Sequence, residues 1–578
     1  MKTNTIFAAL AALALLCACQ GEPDKDVIAP ELGVPTGVKL HSATETSLTF
    51  QWTAVEAASS YSWKLTLDGE VCKSGLEKKR NVAIDGLTPG TTYYFSVCAN
   101  GEDASSDYCE PVEAKTKGAA PDPNVASKGI CTDAPLVISF DSAPVLGLAG
   151  LIKVFRSDGA EVDRINLADI STVDILEDGT MVPKAKMMNS STYTSFMDAI
   201  NGGNRWRIVN YTPLRIKGNT LEIKHHQGVL EFGKEYYVTV DAGVVSGHEG
   251  IAAGEMTFST KAQPASDTDI KVAADGSGDF CTIQGALAFA NKNGATITVA
   301  NGTYAECLYL RDKAGITIKG ESRNGVRIAY PNNESYANGS GGGVSARPSA
   351  GSQVVSNGGR SLFLVEECDN LVLQDLTIEN TFWVSDHKGQ AETIYFNSQS
   401  NNHHLTIENC SLLSWQDTFL CKGIVWVHNS LIAGHVDYIW GYPKVCLFED
   451  CEIRSRAGGY IVQARVPSGC KGFVFLNCSL TAEDGVSAGS MYLARSGGDP
   501  NYYDNVTYVN CTMSTVIASS GWYTNPAPNP ATPTATTGWK EYGSKNPSGG
   551  AVTGHNSYGR VLTADEAASW LTREKILE

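Results

Sequence analysis

The sequence predicts an all-β protein: a right-handed parallel β-helix filling the C-terminal half, preceded by two β-sandwich domains. Two observations carry that prediction. The first is a repeat. Segments 404–410 (HLTIENC), 424–430 (IVWVHNS), 444–450 (KVCLFED), 472–478 (GFVFLNC) and 506–512 (VTYVNCT) are short β-branched and aromatic strands, most ending in Asn or Asp then Cys, Ser or Thr. Asn409, Asn429, Asp450, Asn477 and Asn510 mark the repeat at intervals of 20, 21, 27 and 33. A unit that short cannot close its own core, so successive units must stack. The second observation lies upstream, where runs such as SYSWKLTLDG (60–69) and EYYVTVDAG (235–243) read as strands separated by turn residues.

At 578 residues the chain holds three or four domains. Hydrophobic (42%) and charged (19%) fractions are those of a folded soluble protein. A net charge of −17 argues against a nucleic-acid partner. The first twenty residues, MKTNTIFAALAALALLCACQ, place Lys2 before an apolar run too short to span a bilayer, the form of a signal peptide. Leu16-Cys17-Ala18-Cys19 resembles a bacterial lipobox with Cys19 as the lipidated residue, and the acidic GEPDKD that follows resembles a surface-export tag. Residues 1–19 are therefore expected to be a lipoprotein signal peptide, with a lipid on Cys19 holding the protein at the outer membrane or cell surface. A plain secretory signal is the alternative.

From 34 to 117 come LTFQWTAV, SYSWKLTLDG and GLTPGTTYYFSVCA, with Trp52 as the expected core tryptophan. Leu87-x-Pro89-Gly90 before Tyr93 has the form of a tyrosine corner, and the segment resembles a fibronectin type III module. A Pro/Gly linker (118–124) leads to 125–264, whose strands LVISFDSAP, GLIKVFRSDG, TLEIKHH and GEMTFSTK resemble a bacterial Ig-like sandwich. Both sandwiches read as spacers rather than sugar binders. Beyond 265, IKVAADGSGDFCTIQGALAFA is a strand, a turn at 275–278 and a helix from Thr282. Ile283, Ala286, Leu287 and Ala290 share one face of that helix, which is placed to cap the first coil. Thr563 to Glu566 is a capping box opening a terminal helix, with Leu562 as a staple. The Gly/Ser/Asn-rich stretch 330–360 is too long for a turn and should be a loop over one flank.

Of 16 cysteines, Cys17 leaves with the signal and Cys19 carries lipid. Cys410, Cys451, Cys478 and Cys511 share one repeat position and are expected to be an inward stack of thiols, since buried Cys behaves as a small hydrophobe. An exported chain permits disulfides, which leaves Cys72, Cys98 and Cys109 open. No CxxC pair or zinc spacing occurs, and the adjacent His403 and His404 would face opposite ways on a strand.

The chemistry concentrates at 412–441, LLSWQDTFLCKGIVWVHNSLIAGHVDYIWG, which contains Asp417 and Asp437. Their interval equals that from Asn409 to Asn429, so they occupy equivalent points of neighbouring coils, roughly 4.8 Å apart. Two carboxylates so close raise one pKa, which suits an acid paired with a nucleophile or base. A solvated aspartate ladder on the outer face is the alternative. Gly485-Val486-Ser487-Ala488-Gly489 fits the serine-esterase elbow, but that motif needs strand, sharp turn and helix, whereas MYLAR follows here.

VAADGSGDFCTIQGAL (272–287), GTYAE (302–306), LTIENT (376–381), GQAE (389–392), WQDT (415–418), VDYIWG (436–441), LARSG (493–497), GW (521–522) and EYGSKNPSG (541–549) follow in an order that resembles the pectin methylesterases over about 268–578. The resemblance implies an aspartyl esterase that removes methyl esters from the galacturonate units of pectin. Asp437 would be the nucleophile. Asp417 would protonate departing methanol and then activate water. Gln390 and Gln416 would donate to the oxyanion, and Arg495 would hold Asp437. Tyr438, Trp440 and Glu306 would bind substrate. No metal and no cofactor is implied, because a carboxylate nucleophile with a neighbouring acid supplies the whole cycle. The expected partner is methyl-esterified galacturonan, bound by a monomer. LARSG keeps the family's Arg but lacks the Pro and Trp found after it, so a wider cleft is expected beside Arg495. Other readings are a β-helix polygalacturonase-type glycoside hydrolase and a non-catalytic surface glycan-binding protein. A pectate lyase would want a carboxylate cluster for Ca²⁺.

Overall fold

The computed structural model describes residues 32–116, 127–334, 359–382, 389–552 and 554–578, apart from positions 45, 89, 90, 103 and 141 and much of 170–211, where only strand backbones are described. Cys19 with the rest of the signal segment, and most of the 330–360 loop, lie outside the described residues. The chain forms two compact units, Met1–Ala120 and Pro121–Glu578.

In the first unit, a three-stranded sheet (Lys39–Ala43, Leu48–Gln51, Asn81–Ile84) accompanies a four-stranded one (Glu70–Glu77, Ser60–Leu67, Thr92–Asn100, Val112–Lys115). Alternation along Ser60–Leu67 sends Tyr61, Trp63 and Leu65 into a core shared with Trp52, Phe50 and Phe95. The Phe50 and Phe95 rings stack at 4.0 Å. The Tyr93 hydroxyl accepts from the Thr88 amide at 2.9 Å, which completes the tyrosine corner.

The second unit opens with two five-stranded sheets built from strands between Ser127 and Thr260, with Leu136, Ile152, Val154, Leu221, Val238 and Phe258 among their core residues. A 23-stranded parallel sheet then coils from Asp269–Val272 to Gly559–Val561. Its register stacks like on like: Ile297, Ile318, Leu373, Ile407, Val427, Phe448, Phe475 and Tyr508 follow one another through successive coils. The aromatic end of this column stacks face to face, Phe448 on Phe475 at 4.8 Å and Phe475 on Tyr508 at 4.4 Å.

The repeat marks have a conformational cause. Asn409, Asn429, Asp450, Asn477 and Asn510 all take φ between 47° and 56°. That left-handed corner is tolerated by Asn and Asp better than by other side-chain-bearing residues. The following Cys410, Cys451, Cys478 and Cys511 turn inward as buried thiols, each with its sulfur near a backbone carbonyl.

Helix Ile283–Phe289 starts at Thr282, whose hydroxyl accepts from Gly285 N, and it buries Ile283, Ala286 and Leu287 against the first coil. The second sandwich docks on this end of the β-helix. Asp133 accepts from the amides of Cys281 (2.9 Å) and Thr282 (2.7 Å), Lys224 Nζ reaches Ala305 O at 3.0 Å, and Phe232 packs on Phe280 and Phe289. These contacts dock the second sandwich on the cap of the β-helix. At the other end the Thr563–Glu566 capping box forms, and Leu562, Trp570 and Ile576 cover Leu447, Leu476 and Val509 on the outer face of the coils.

Candidate active site

The two aspartates are brought together by one backbone device used twice. Asp417 (φ 63°) and Asp437 (φ 48°) each sit in the left-handed region two residues before a core residue, Phe419 or Ile439, and these two pair in register. The Asp417 amide donates to Val436 O at 3.0 Å. Gln390, Gln416 and Val436 are bridged in parallel, so the glutamines stack one coil apart beside the acids.

The surroundings of the two carboxyls differ. Arg495 donates to Asp437 through Nε (2.7 Å to Oδ1) and through Nη2 to Oδ2, and Gln463 Nε2 adds a bond at 3.1 Å. The register explains the convergence, since Trp440, Gln463 and Arg495 are successive rungs of one column. A guanidinium fork of this kind orients a carboxylate and favours its charge. The Arg495 guanidinium itself lies 5.1 Å over the Tyr460 ring.

Asp417 is almost fully buried and, among the described residues, receives a side-chain hydrogen bond from Arg360 Nη2 at 3.0 Å. Arg360 is shared: its Nε contacts both oxygens of Glu392 (2.8 and 3.0 Å), and Nη1 donates to Gln390 Oε1. Glu392 has no exposed surface, and its charge opposes the arginine's at this point. Burial, then the Glu392 charge, push the Asp417 carboxyl well above its ordinary value; Arg360 opposes this, and Asp437 reinforces it. Because Gln390 Oε1 accepts from Arg360, its amide nitrogen is the group left to donate into the cleft.

Two expected substrate contacts are corrected. Tyr438 is fully buried in the β-helix core, because the kink at Asp437 turns the next side chain inward. Glu306 is also buried, and its oxygens accept from Ile283 N (2.9 Å) and Gln284 N (3.0 Å), first-turn amides that have no helical partner. It is a helix cap. Trp440 lines a hollow of about 380 Å³ with Tyr395, Lys422, Tyr442 and Tyr502, a lining that includes neither aspartate.

The space expected to be open beside Arg495 is partly taken. A Cβ on Gly497 would lie 3.4 Å from Arg465 Nε, and the Arg465 guanidinium stands 5.4 Å over Trp440 while donating to the Tyr442 hydroxyl at 2.9 Å. Ser487 lies exposed in a loop with a strand and no helix after it, so the elbow geometry is not made.

Sequence reasoning missed Arg360, Glu392, Gln463, Arg465 and Lys422. Glu392 left a signal, a lone acid in the apolar run AETIYF. Arg360 left none, standing at the end of a Gly/Ser-rich loop. Among the described residues, one group of side chains has metal-ligating geometry, Cys131, Asp133 and Cys281, on the sandwich–helix interface and not at the aspartates.

Comparison with known proteins agrees with the motif order. The pectinesterase family model matches residues 269–577, and the fibronectin type III model matches 33–115. Pectinesterase 31 of Arabidopsis thaliana is 28% identical over 263 residues, covering 44% of this chain and 76% of that protein. Probable pectinesterase A of Aspergillus niger is 29% identical over 260 residues, covering 43% and 71%. Among solved structures, the pectin methylesterase of Erwinia chrysanthemi matches with a TM-score of 0.42 at 24% identity, covering 54% of this chain and 98% of that one. The carrot pectin methylesterase matches with 0.41 at 20%, covering 55% and 95%.

Proposed function

Since this chain belongs to the pectinesterase family, we propose that it hydrolyses the methyl esters of galacturonate units in pectin, with Asp437 as nucleophile and Asp417 as general acid and then base. The observation that carries this assignment is the unequal treatment of two adjacent carboxyls. One is clamped by a guanidinium fork, the other is buried beside Glu392 and pushed toward its protonated form.

In the first half-reaction an Asp437 oxygen attacks the ester carbonyl carbon. The carbonyl electrons move onto oxygen, and the amide donors of Gln390 and Gln416 stabilise that charge where it develops. Collapse breaks the bond to the methoxy oxygen, which takes the Asp417 proton and leaves as methanol. An anhydride joins Asp437 to the galacturonate. Asp417, now a carboxylate, removes a proton from water, and the hydroxide attacks the sugar carbonyl. Release of the free acid restores both aspartates. The electrostatics also favour a polymer carrying acid groups: the net charge is −17, yet Arg465, Arg495 and Lys422 are gathered at the cleft. At residues 1–19 the sequence supports export and lipid attachment at Cys19. Cys19→Ala should move the protein from membrane to soluble fraction in its host.

The test is methanol release from methyl-esterified galacturonan. Asp437→Ala should cost at least about 10⁴-fold in kcat in a protein that still folds, and Ser487→Ala should be silent. Reducing ends or unsaturated uronide in place of methanol would overturn the assignment.

A further inference from the structure

Cys131 and Cys281 belong to different domains and meet in the interface between them. Cys131 follows the sandwich strand Ser127–Ile130, and Cys281 precedes the β-helix cap Ile283–Phe289. Both are buried, 1% and 6% exposed, and with Ala134 they form a small apolar cluster of their own. Their sulfurs and a carboxylate oxygen of Asp133 all lie within 4.8 Å of one another.

A metal would need that third ligand, and the carboxylate is already committed. Asp133 Oδ1 accepts from Cys281 N, and Oδ2 accepts from Thr282 N (2.7 Å) and Thr282 Oγ1 (2.5 Å). The Lys261 ammonium, which donates to Gly276 O (2.6 Å) and Gly278 O (2.7 Å), also stands 3.4 Å from Cys131 Sγ, where it would repel a divalent cation. The same ammonium favours a thiolate at Cys131. Asp133 and Lys261 therefore act as registration contacts that bring two sulfurs face to face.

We propose that Cys131 and Cys281 form a disulfide that fastens the second sandwich covalently to the N-terminal cap of the β-helix. The oxidant is a disulfide of the glutathione or dithiol-oxidase class, met while the two domains dock and the thiols are still accessible. The Cys131 thiolate attacks one sulfur of that disulfide and expels the other as a thiolate. The Cys281 thiol gives its proton to the expelled thiolate and attacks Cys131 Sγ, releasing the second oxidant sulfur, which is protonated as a thiol. Two protein thiols are oxidised and one disulfide is reduced to two thiols. The bond would turn a domain held by hydrogen bonds and aromatic packing into one that cannot leave the cap.

The test uses the full chain refolded in a glutathione redox buffer, then unfolded in denaturant with an alkylating agent and digested without reduction. The expected result is a cross-linked peptide pair containing Cys131 and Cys281, while Cys410, Cys451, Cys478 and Cys511 are alkylated. Alkylation of both Cys131 and Cys281, or one zinc ion per chain bound through them, would overturn the proposal. Reductant should also lower the Tm of the wild type and leave the Cys131→Ser/Cys281→Ser double variant unmoved. Equal sensitivity of the two proteins would count against the bond, and the peptide map decides the matter if that variant does not fold.

Discussion

Two carboxyls on adjacent coils share backbone conformation, residue type and register, yet their surroundings differ as the opposite tasks proposed for them require. At Asp437 an arginine and a glutamine converge from the next two rungs, and the arginine serves that one carboxylate. At Asp417 the arginine is shared with a fully buried glutamate and a glutamine, so positive charge reaches the acid already offset. The lesson is that a repeat can supply symmetric positions while its neighbours supply the asymmetry. Chemistry that needs an acid and a nucleophile follows from the difference and not from the pair.

Replacing Asp417 breaks the comparison most severely. Asp417→Asn should lower kcat by about 10²–10⁴-fold, the usual range for a general acid–base. It should also raise stability. A carboxyl whose folded pKa lies above its unfolded one stabilises the fold fully at pH below the unfolded value, and that contribution is lost as pH rises through the folded value. For Asp417 the loss begins above the ordinary carboxylate value of 3.8. The variant has no such loss, so its Tm should exceed the wild type's by an amount that grows with pH. Thermal melts across pH check this, and a variant less stable than wild type at neutral pH would show that Asp417 is not held under electrostatic penalty.

Glu392→Gln sharpens the comparison without removing either aspartate. It deletes the Glu392 charge that, after burial, pushes Asp417 up, and leaves the Arg360 charge less offset beside it. The Asp417 pKa should fall, so the alkaline limb of the kcat–pH profile should move to lower pH. Activity on the acid side should change by less than about tenfold, a difference of about 1.4 kcal/mol. A limb that stays in place would mean that the acid is some group other than Asp417.

These differences explain what was legible. The β-helix, the pairing of Asp417 with Asp437 and the helix from Thr282 could be read from the sequence because they are written in local periodicity and cap chemistry. Arg360 and Gln463 could not, because they reach the site through register across coils of unequal length and carry no local pattern. Glu306 and Tyr438 misled for a related reason. A motif position records that a side chain matters and not which way it points: Glu306 serves a helix terminus, and Tyr438 lies on the inward side of a kink.

The smallest effect should come from Lys422, which lies farther along the strand that follows Asp417 and so tests where chemistry ends and binding begins. Its ammonium faces the rings of Tyr395 and Tyr442 at 5.9 and 5.8 Å in the hollow beside Trp440. Burial lowers its pKa, and the Glu367 and Glu366 charges work against that. A half-buried cation among aromatic rings suits an anionic group, and on the proposed substrate of mixed acids and esters that group would be a free carboxylate on a neighbouring sugar. Lys422→Met keeps the aliphatic bulk and removes the charge. One charge-assisted contact is worth about 1.5–3 kcal/mol when buried and less than about 1 kcal/mol when exposed, so KM for partly de-esterified galacturonan should rise roughly threefold to tenfold. With fully methylated oligomers KM should barely change, and kcat should be unchanged on both, because nothing at Asp417 or Asp437 has moved. Steady-state kinetics on the two substrates decide it. A fall in kcat with both would place Lys422 within the electrostatics of the aspartate pair, and equal KM changes with both would leave the hollow no part in reading substrate charge.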